Sequence, residues 1–401
     1  MLIPCPIRWS GPIPCQGDTV NGTIAPVASR KKKLQFARRM DRLQLSGIRK
    51  IFELAAKLKD PVNLSLGQPD FEVPIEIQDA AIRAIRSGKN GYTVTEGIPE
   101  LRERLAEELR RRAGFTEGKI LITSGVAGAI FLAMGVLVEK GDEVVVPDPY
   151  FGMYWNAIRF FGGVPKLLDT YPDFRIKPEK LDRAITPKTK LILFNNPVNP
   201  TGMAYRKEEV AAIAEVARRR GVLILSDEIY ASYSYDFPHE SMRLYSPDCL
   251  LVGGFGKAYA ITGWRLGFAA GPAEVIDKMT LLQQCSFVSA PSFTQYAGVA
   301  ALDVKVSEFR ADYRRKRDMV YEELKGRYVI EKPQGAFYFF PKCPGGLKDT
   351  EFVRRAIDRG LLIVPGSACS KKSTHFRLSY AVPDPVLERG VDLLRKLAKD
   401  V

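Results

Sequence analysis

With 401 residues and 46% hydrophobic content, the chain is long enough for a large domain plus a smaller one. No run of 18 apolar residues occurs, which argues against a spanning helix and leads us to expect a soluble, cytoplasmic protein with no membrane partner. The net charge of +14 raises nucleic acid as a partner, but residues 1–60 hold 12 Lys and Arg against 4 Asp and Glu, which leaves only +6 for the rest. There, basic and acidic side chains intermix, as over Glu100–Arg112, and this reads as a solvated face with no phosphate track.

Pro4, Pro6, Pro12 and Pro14 break any continuous helix near the start, and no apolar stretch there reaches signal-peptide length. Residues 1–33 are expected to be a flexible extension, or to precede the true start, with Met40 among the candidate initiators. The expected division continues with 34–60 joining a small domain, 61–295 as a large domain and 296–401 as the small C-terminal domain. The six cysteines lie far apart, with no CxxC pair and only His239 and His375 as histidines, so neither a zinc site nor a disulfide framework is expected.

From Lys119 onward, short apolar runs alternate with helical stretches, the pattern of a mostly parallel sheet covered on both faces. Strands are expected over Lys119–Thr123, Glu143–Val146, Leu191–Phe194, Val222–Leu225, Leu250–Val252 and Leu266–Ala269. One helix should run from about Glu208 to Arg220, with Val210, Ile213 and Ala217 on one face and Gly221 as its stop. Beyond Pro291 a helical stretch including Tyr313–Lys325 leads to an aromatic strand over Gly335–Pro341. Ligands of such sheets bind past the carboxyl ends of the strands.

Five segments stand at those ends. Thr123-Ser124-Gly125-Val126-Ala127-Gly128 is a small-residue turn into a helix, whose free N–H groups suit an anion. Asn195-Asn196-Pro197-Val198-Asn199-Pro200-Thr201-Gly202 is a rigid turn that holds amides over the strand ends, or a turn and nothing more. Ser226-Asp227-Glu228-Ile229-Tyr230 sets a carboxylate and a phenol at the mouth of the sheet, although Asp227 alone reads more readily as a helix cap. Gly253-Gly254-Phe255-Gly256-Lys257 brings glycines up to a lysine, but Leu251 and Ala258 break the P-loop pattern, while Arg265 offers a planar fork suited to phosphate. Arg377, inside the apolar run Phe376–Tyr380, is costly to bury unless paired, which suggests a carboxylate partner; a surface strand edge is the other reading.

Together these segments resemble the class I and II aminotransferases of the fold-type I pyridoxal-phosphate enzymes, especially the archaeal and bacterial aspartate or aromatic ones. The resemblance also takes in Leu66-Gly67-Gln68-Pro69-Asp70 and Tyr92–Arg102, and runs from about Ser46 to Val391. It implies an α/β fold, with a mostly parallel seven-stranded sheet between helices in the large domain and a smaller α/β domain beside it. It implies that Lys257 carries pyridoxal 5'-phosphate as a Schiff base and moves the substrate proton, and that Asp227 pairs with the pyridine nitrogen. Tyr230 and Asn199 would bond the phenolic oxygen, and Phe151 and Ile229 would cover the two ring faces. Gly125, Val126, Ala127 and Arg265 would take the phosphate, with Tyr92 reaching the neighbouring subunit's phosphate, so a homodimer with shared active sites is implied. Gly67, Asn199 and Arg377 would bind the substrate carboxylate.

In one respect the chain departs from the family: many members have Ser-x-Ser-Lys where Gly254-Phe255-Gly256-Lys257 stands here. A hydroxyl to the phosphate is thereby lost, worth roughly 1 to 2 kcal/mol, with Ser124 and Thr262 as candidate substitutes. The expected reaction is transfer of an amino group from an L-amino acid, aspartate or aromatic, to 2-oxoglutarate, with Tyr150, Tyr154 and Phe287 as candidate aromatic walls. The alternatives are a β-lyase or other eliminating enzyme on the same fold, and a non-catalytic effector-binding module. The module would need a helix-turn-helix that residues 1–40 are too short and irregular to supply.

Overall fold

The computed structural model describes residues 35–43 and 60–400; the extension expected over 1–33 and most of segment 34–60 lie outside the described residues. Strand β1 (Val62–Asn63) is followed by helices α1 (Ile75–Arg86) and α2 (Pro99–Ala113). Strands and helices then alternate: β2 (Lys119–Ser124), α3 (Gly125–Leu137), β3 (Glu143–Asp148), α4 (Gly152–Phe160), β4 (Val164–Asp169), α5 (Pro178–Ala184), β5 (Thr189–Asn195), α6 (Lys207–Arg220), β6 (Leu223–Asp227), β7 (Leu250–Gly254), β8 (Leu266–Gly271) and α7 (Ala273–Gln284). The remainder is α8 (Ser292–Ala301), α9 (Ser307–Leu324), β9 (Tyr338–Phe339), α10 (Asp349–Asp358), β10 (Leu361–Leu362), β11 (Val364–Pro365), β12 (Phe376–Ser379) and α11 (Asp384–Lys399).

Seven strands form the main sheet in the order β2-β8-β7-β6-β5-β3-β4. All are parallel except β8, which runs antiparallel to both β2 and β7. The expected mostly parallel seven-stranded sheet is therefore present. Strand alternation buries both faces: Val144, Val146, Leu191 and Leu193 pack into one apolar cluster, and Val145, Ile192 and Phe194 into another on the opposite face. Helix α6 begins with the Glu209 carboxylate accepting the Arg206 N–H at 2.8 Å and ends at Gly221, whose φ of 63° few other residues adopt without strain.

Two smaller sheets accompany it: β11-β12-β9, and the parallel pair β1-β10, which joins the first strand to a C-terminal one. Of the aromatic strand expected over Gly335–Pro341, only Tyr338–Phe339 is in a ladder. The cause is where its backbone bonds go: Gly335 N–H donates to Gly202 O at 2.8 Å and Ala336 N–H to Tyr233 O at 2.9 Å, so the segment ties itself to loops of the main sheet instead.

Among the described residues no helix is long and apolar enough to cross a membrane, no His, Cys, Asp and Glu group could hold a metal, and Cys249, Cys285, Cys343 and Cys369 are unpaired.

Candidate active site

Parallel strands that end together bring their following residues together, and here β5, β6 and β7 end at Asn195, Asp227 and the turn to Lys257. These residues, with Gly67, Tyr338 and Arg377, line a cavity of about 280 Å³. The cavity also takes in Gly125, Val126, Ala127, Phe151, Asn199, Ile229, Tyr230 and Arg265, so every predicted site residue except Tyr92 meets there. Tyr92 stands 89% exposed and outside the cavity lining.

Asp227, buried at the end of β6, accepts the Tyr154 hydroxyl at 2.7 Å on Oδ2 and the Ile229 N–H at 3.1 Å on Oδ1. Burial pushes its carboxyl up to about 6, assisted by the neighbouring Glu228 charge and opposed by these two hydrogen bonds and by Lys257. The Lys257 amine donates to Gly67 O. Its affinity for protons is lowered to about 8, first by burial and then by Arg377 and Arg265. Both guanidiniums thus favour the neutral amine.

At the other end of the cavity no side chain caps the first turn of α3, so its N–H groups are open to an anion. Arg265, in a left-handed conformation (φ 56°) just ahead of β8, brings Nη2 to 2.8 Å from where a Cβ on Gly125 would stand. Gly267 is needed for the same approach, because a Cβ there would lie 2.7 Å from Val126 N. Gly267→Ala is accordingly expected to push α3 away from Arg265, at about 1 to 3 kcal/mol in stability. Thermal melts together with an inorganic phosphate titration check this, and a variant that keeps its phosphate affinity would contradict it.

Arg377, buried in β12, donates from Nη1 to Asn199 Oδ1 at 3.1 Å and from Nη2 to Ser65 O at 2.8 Å, and lies over the Tyr338 ring at 4.8 Å. The carboxylate partner suggested by its burial is absent among the described residues; oxygens of an amide and a backbone carbonyl hold it, and Nε has no partner. The Tyr230 and Tyr338 hydroxyls lie 2.8 Å apart.

Two contributors, Tyr154 and Tyr338, escaped the motif reading, and the role of a third, Asn195, came out only in the structure. Tyr154, expected only as a wall, bonds Asp227; its place in the first turn of α4, just after Phe151, was the available signal. Asn195 links the elements, donating to Asp227 O at 2.8 Å and accepting Asn199 N–H at 2.8 Å. Tyr338, which packs on Arg377, carries no local signal. Conversely, Tyr150 and Phe287 do not line the cavity: both belong to, or pack against, the apolar cluster behind it.

A lysine of lowered basicity, a buried carboxylate and an anion cradle, together at the carboxyl edge of a parallel sheet, define an enzyme site built for amine chemistry on an anionic ligand. The sequence profile of the family "Aminotransferase class I and II" matches residues 59–394. The chain is 35% identical to an aspartate aminotransferase of Geobacillus stearothermophilus, over 90% of this chain and 98% of that protein. It is 34% identical to an aromatic-amino-acid aminotransferase of Thermococcus litoralis, with the same two coverages. The solved structure of the Thermus thermophilus aspartate aminotransferase with maleate superimposes with a TM-score of 0.86 at 34% identity, covering 91% of this chain and all of that one. The chain belongs to the class I and II aminotransferases, and it is a transaminase.

Proposed function

We propose that the protein transfers the amino group of an L-amino acid, aspartate or an aromatic one, to 2-oxoglutarate, with pyridoxal 5'-phosphate attached to Lys257, in a cytoplasmic homodimer. The observation that carries this reading is the meeting of the Lys257 amine with a buried carboxylate, Asp227, and a guanidinium, Arg377, in one cavity. The donor set suits the cofactor: an aldehyde needs an amine that loses its proton readily, a pyridinium needs a buried anion, and a phosphate needs the uncapped start of α3 with Arg265. When bound, the cofactor acts as an electron sink for the bond broken at the substrate Cα.

The chain's own residues then have distinct tasks. Lys257 would hold the cofactor, and its amine, of lowered proton affinity, would carry the proton from and to the reacting carbon. Asp227 would keep the ring nitrogen protonated, and Tyr154 with Ile229 N–H holds the carboxylate in place. Tyr230 and Asn199, which line the cavity, would hold the phenolic oxygen, and Phe151 and Ile229 would cover the two ring faces. Arg377 receives the substrate carboxylate, beside the Gly67 backbone and the Asn199 amide. The large exposure of Tyr92 supports a reach toward the site of a second subunit.

The test is a panel of amino donors with 2-oxoglutarate, following glutamate. Turnover of aspartate or aromatic donors is expected; release of ammonia and pyruvate in place of glutamate would mark an eliminating enzyme. A further expected result concerns Arg377→Lys, which exchanges a two-pronged contact for a single one. Its kcat/KM should fall about thirty-fold, corresponding to about 2 kcal/mol, mostly through KM. Steady-state kinetics with two donors of different side chain check this, and an unchanged KM for both would remove Arg377 from carboxylate binding.

A further inference from the structure

The residue after Asp227 is a second buried carboxylate that the reaction leaves unused. The Glu228 side chain is wholly buried, yet it lines a different cleft from the one holding Asp227 and Lys257. Its Oε1 accepts Ser226 Oγ at 2.9 Å, Ser241 Oγ at 2.9 Å and Met242 N–H at 3.1 Å. Its Oε2 meets His239 Nε2 at 3.0 Å and the Arg112 guanidinium of α2 at 3.6 Å. Burial acts against its charge, but His239, Arg112 and the Ser241 hydroxyl outweigh burial and hold the carboxyl below its ordinary range. A network this complete, around an anion one residue from the site, is more than a turn needs: a neutral amide or hydroxyl could accept the same N–H and O–H groups without the cost of burying a charge.

We propose that Glu228 is a positioning residue that fixes a second buried negative charge next to Asp227 in the chain, so that the two carboxylates together, and not Asp227 alone, stabilise the positive ring nitrogen of the cofactor. This rests on the reading of Lys257 and Asp227 given above. The charged and titratable groups around Asp227 are Lys257, Tyr154, Tyr230 and Glu228; those around Glu228 are His239, Arg112 and the Cys249 thiol, with Glu108 in turn beside Arg112 at 3.8 Å. A charge acting through Asp227 raises its affinity for protons as well as for the pyridinium, while Arg112, on the far side of Glu228, weakens that field.

The experiment measures binding of pyridoxal phosphate to the full-length apoprotein against pH, by absorbance, in the wild type, Glu228→Gln and Arg112→Gln. Ionisation of the cofactor phosphate is common to all three proteins and cancels in the differences. Glu228→Gln keeps the Oε1 acceptor and loses the charge. Its binding midpoint should fall by about half a pH unit or more, with about threefold or more weaker binding on the alkaline side. Arg112→Gln should move the midpoint the other way. Should Glu228→Gln fail to fold, the upward shift in Arg112→Gln, whose side chain is partly exposed, still decides. Weaker binding at every pH with an unmoved midpoint, or shifts of one sign in both variants, would overturn the proposal and leave Glu228 as a structural hub. Absence of a borohydride-trapped adduct on wild-type Lys257 overturns the cofactor reading and this inference with it; an adduct with unmoved midpoints overturns the inference alone.

Discussion

Lys257→Ala is expected to lower transamination by about four orders of magnitude or more, since it removes at once the covalent anchor and the group that moves the proton. The visible absorption of the cofactor-loaded protein should vanish with it. The fold should stay intact, because the Lys257 side chain adds a single hydrogen bond, to Gly67 O, whereas Tyr233 secures the same segment by accepting nothing from that side chain and donating to Lys257 O at 3.0 Å. Absorbance spectra and borohydride reduction followed by peptide mapping check the result. An unchanged spectrum in the variant would move the attachment point elsewhere.

Asp227→Asn should separate activity from stability. Removing the anion leaves the ring nitrogen without its partner in a buried site, at about 3 to 5 kcal/mol, or roughly two to four orders of magnitude in kcat/KM. The apoprotein should respond in the opposite sense. Burial raises this carboxyl from an ordinary value of 3.8 to about 6 in the folded chain. Between those values the folded state keeps a proton that the unfolded state has released, so stability falls as pH rises from about 4 to about 6. It then stays lower by roughly 3 kcal/mol. Asparagine has no proton to lose. The variant apoprotein should therefore melt a few degrees above the wild type at pH 8, and the two should converge near pH 4. Melts of both apoproteins across this range check the sign; a variant that is less stable at pH 8 would show that Asp227 is not buried at a cost.

Much of the site was legible because its main groups follow strand ends, and strand ends announce themselves locally. The apolar runs Leu191–Phe194 and Val222–Leu225 were followed at once by Asn195 and by Ser226-Asp227, and the structure sets these residues side by side, Asn195 opposite Asp227 in the register. Lys257 and Arg265 were legible through the glycines around them. One of these, Gly267, proves necessary for the approach of Val126. What holds Arg377 within the chain was not legible, because burial calls for compensation without specifying its source: an amide and a carbonyl oxygen, 178 and 312 residues away in the chain, take two of its N–H groups.

By itself, the sequence determined the class of fold and the chemical identity of the groups at the sheet's mouth, since periodicity and turn residues act over a few neighbouring positions. Tertiary structure alone decided that β8 runs against its neighbours, that Tyr154 steadies Asp227 from helix α4, that Tyr338 lies under Arg377, and that Glu228 collects five partners from three separate segments. Those outcomes depend on contacts between residues far apart in the chain. Their geometry is set by how whole layers pack, which no local pattern encodes.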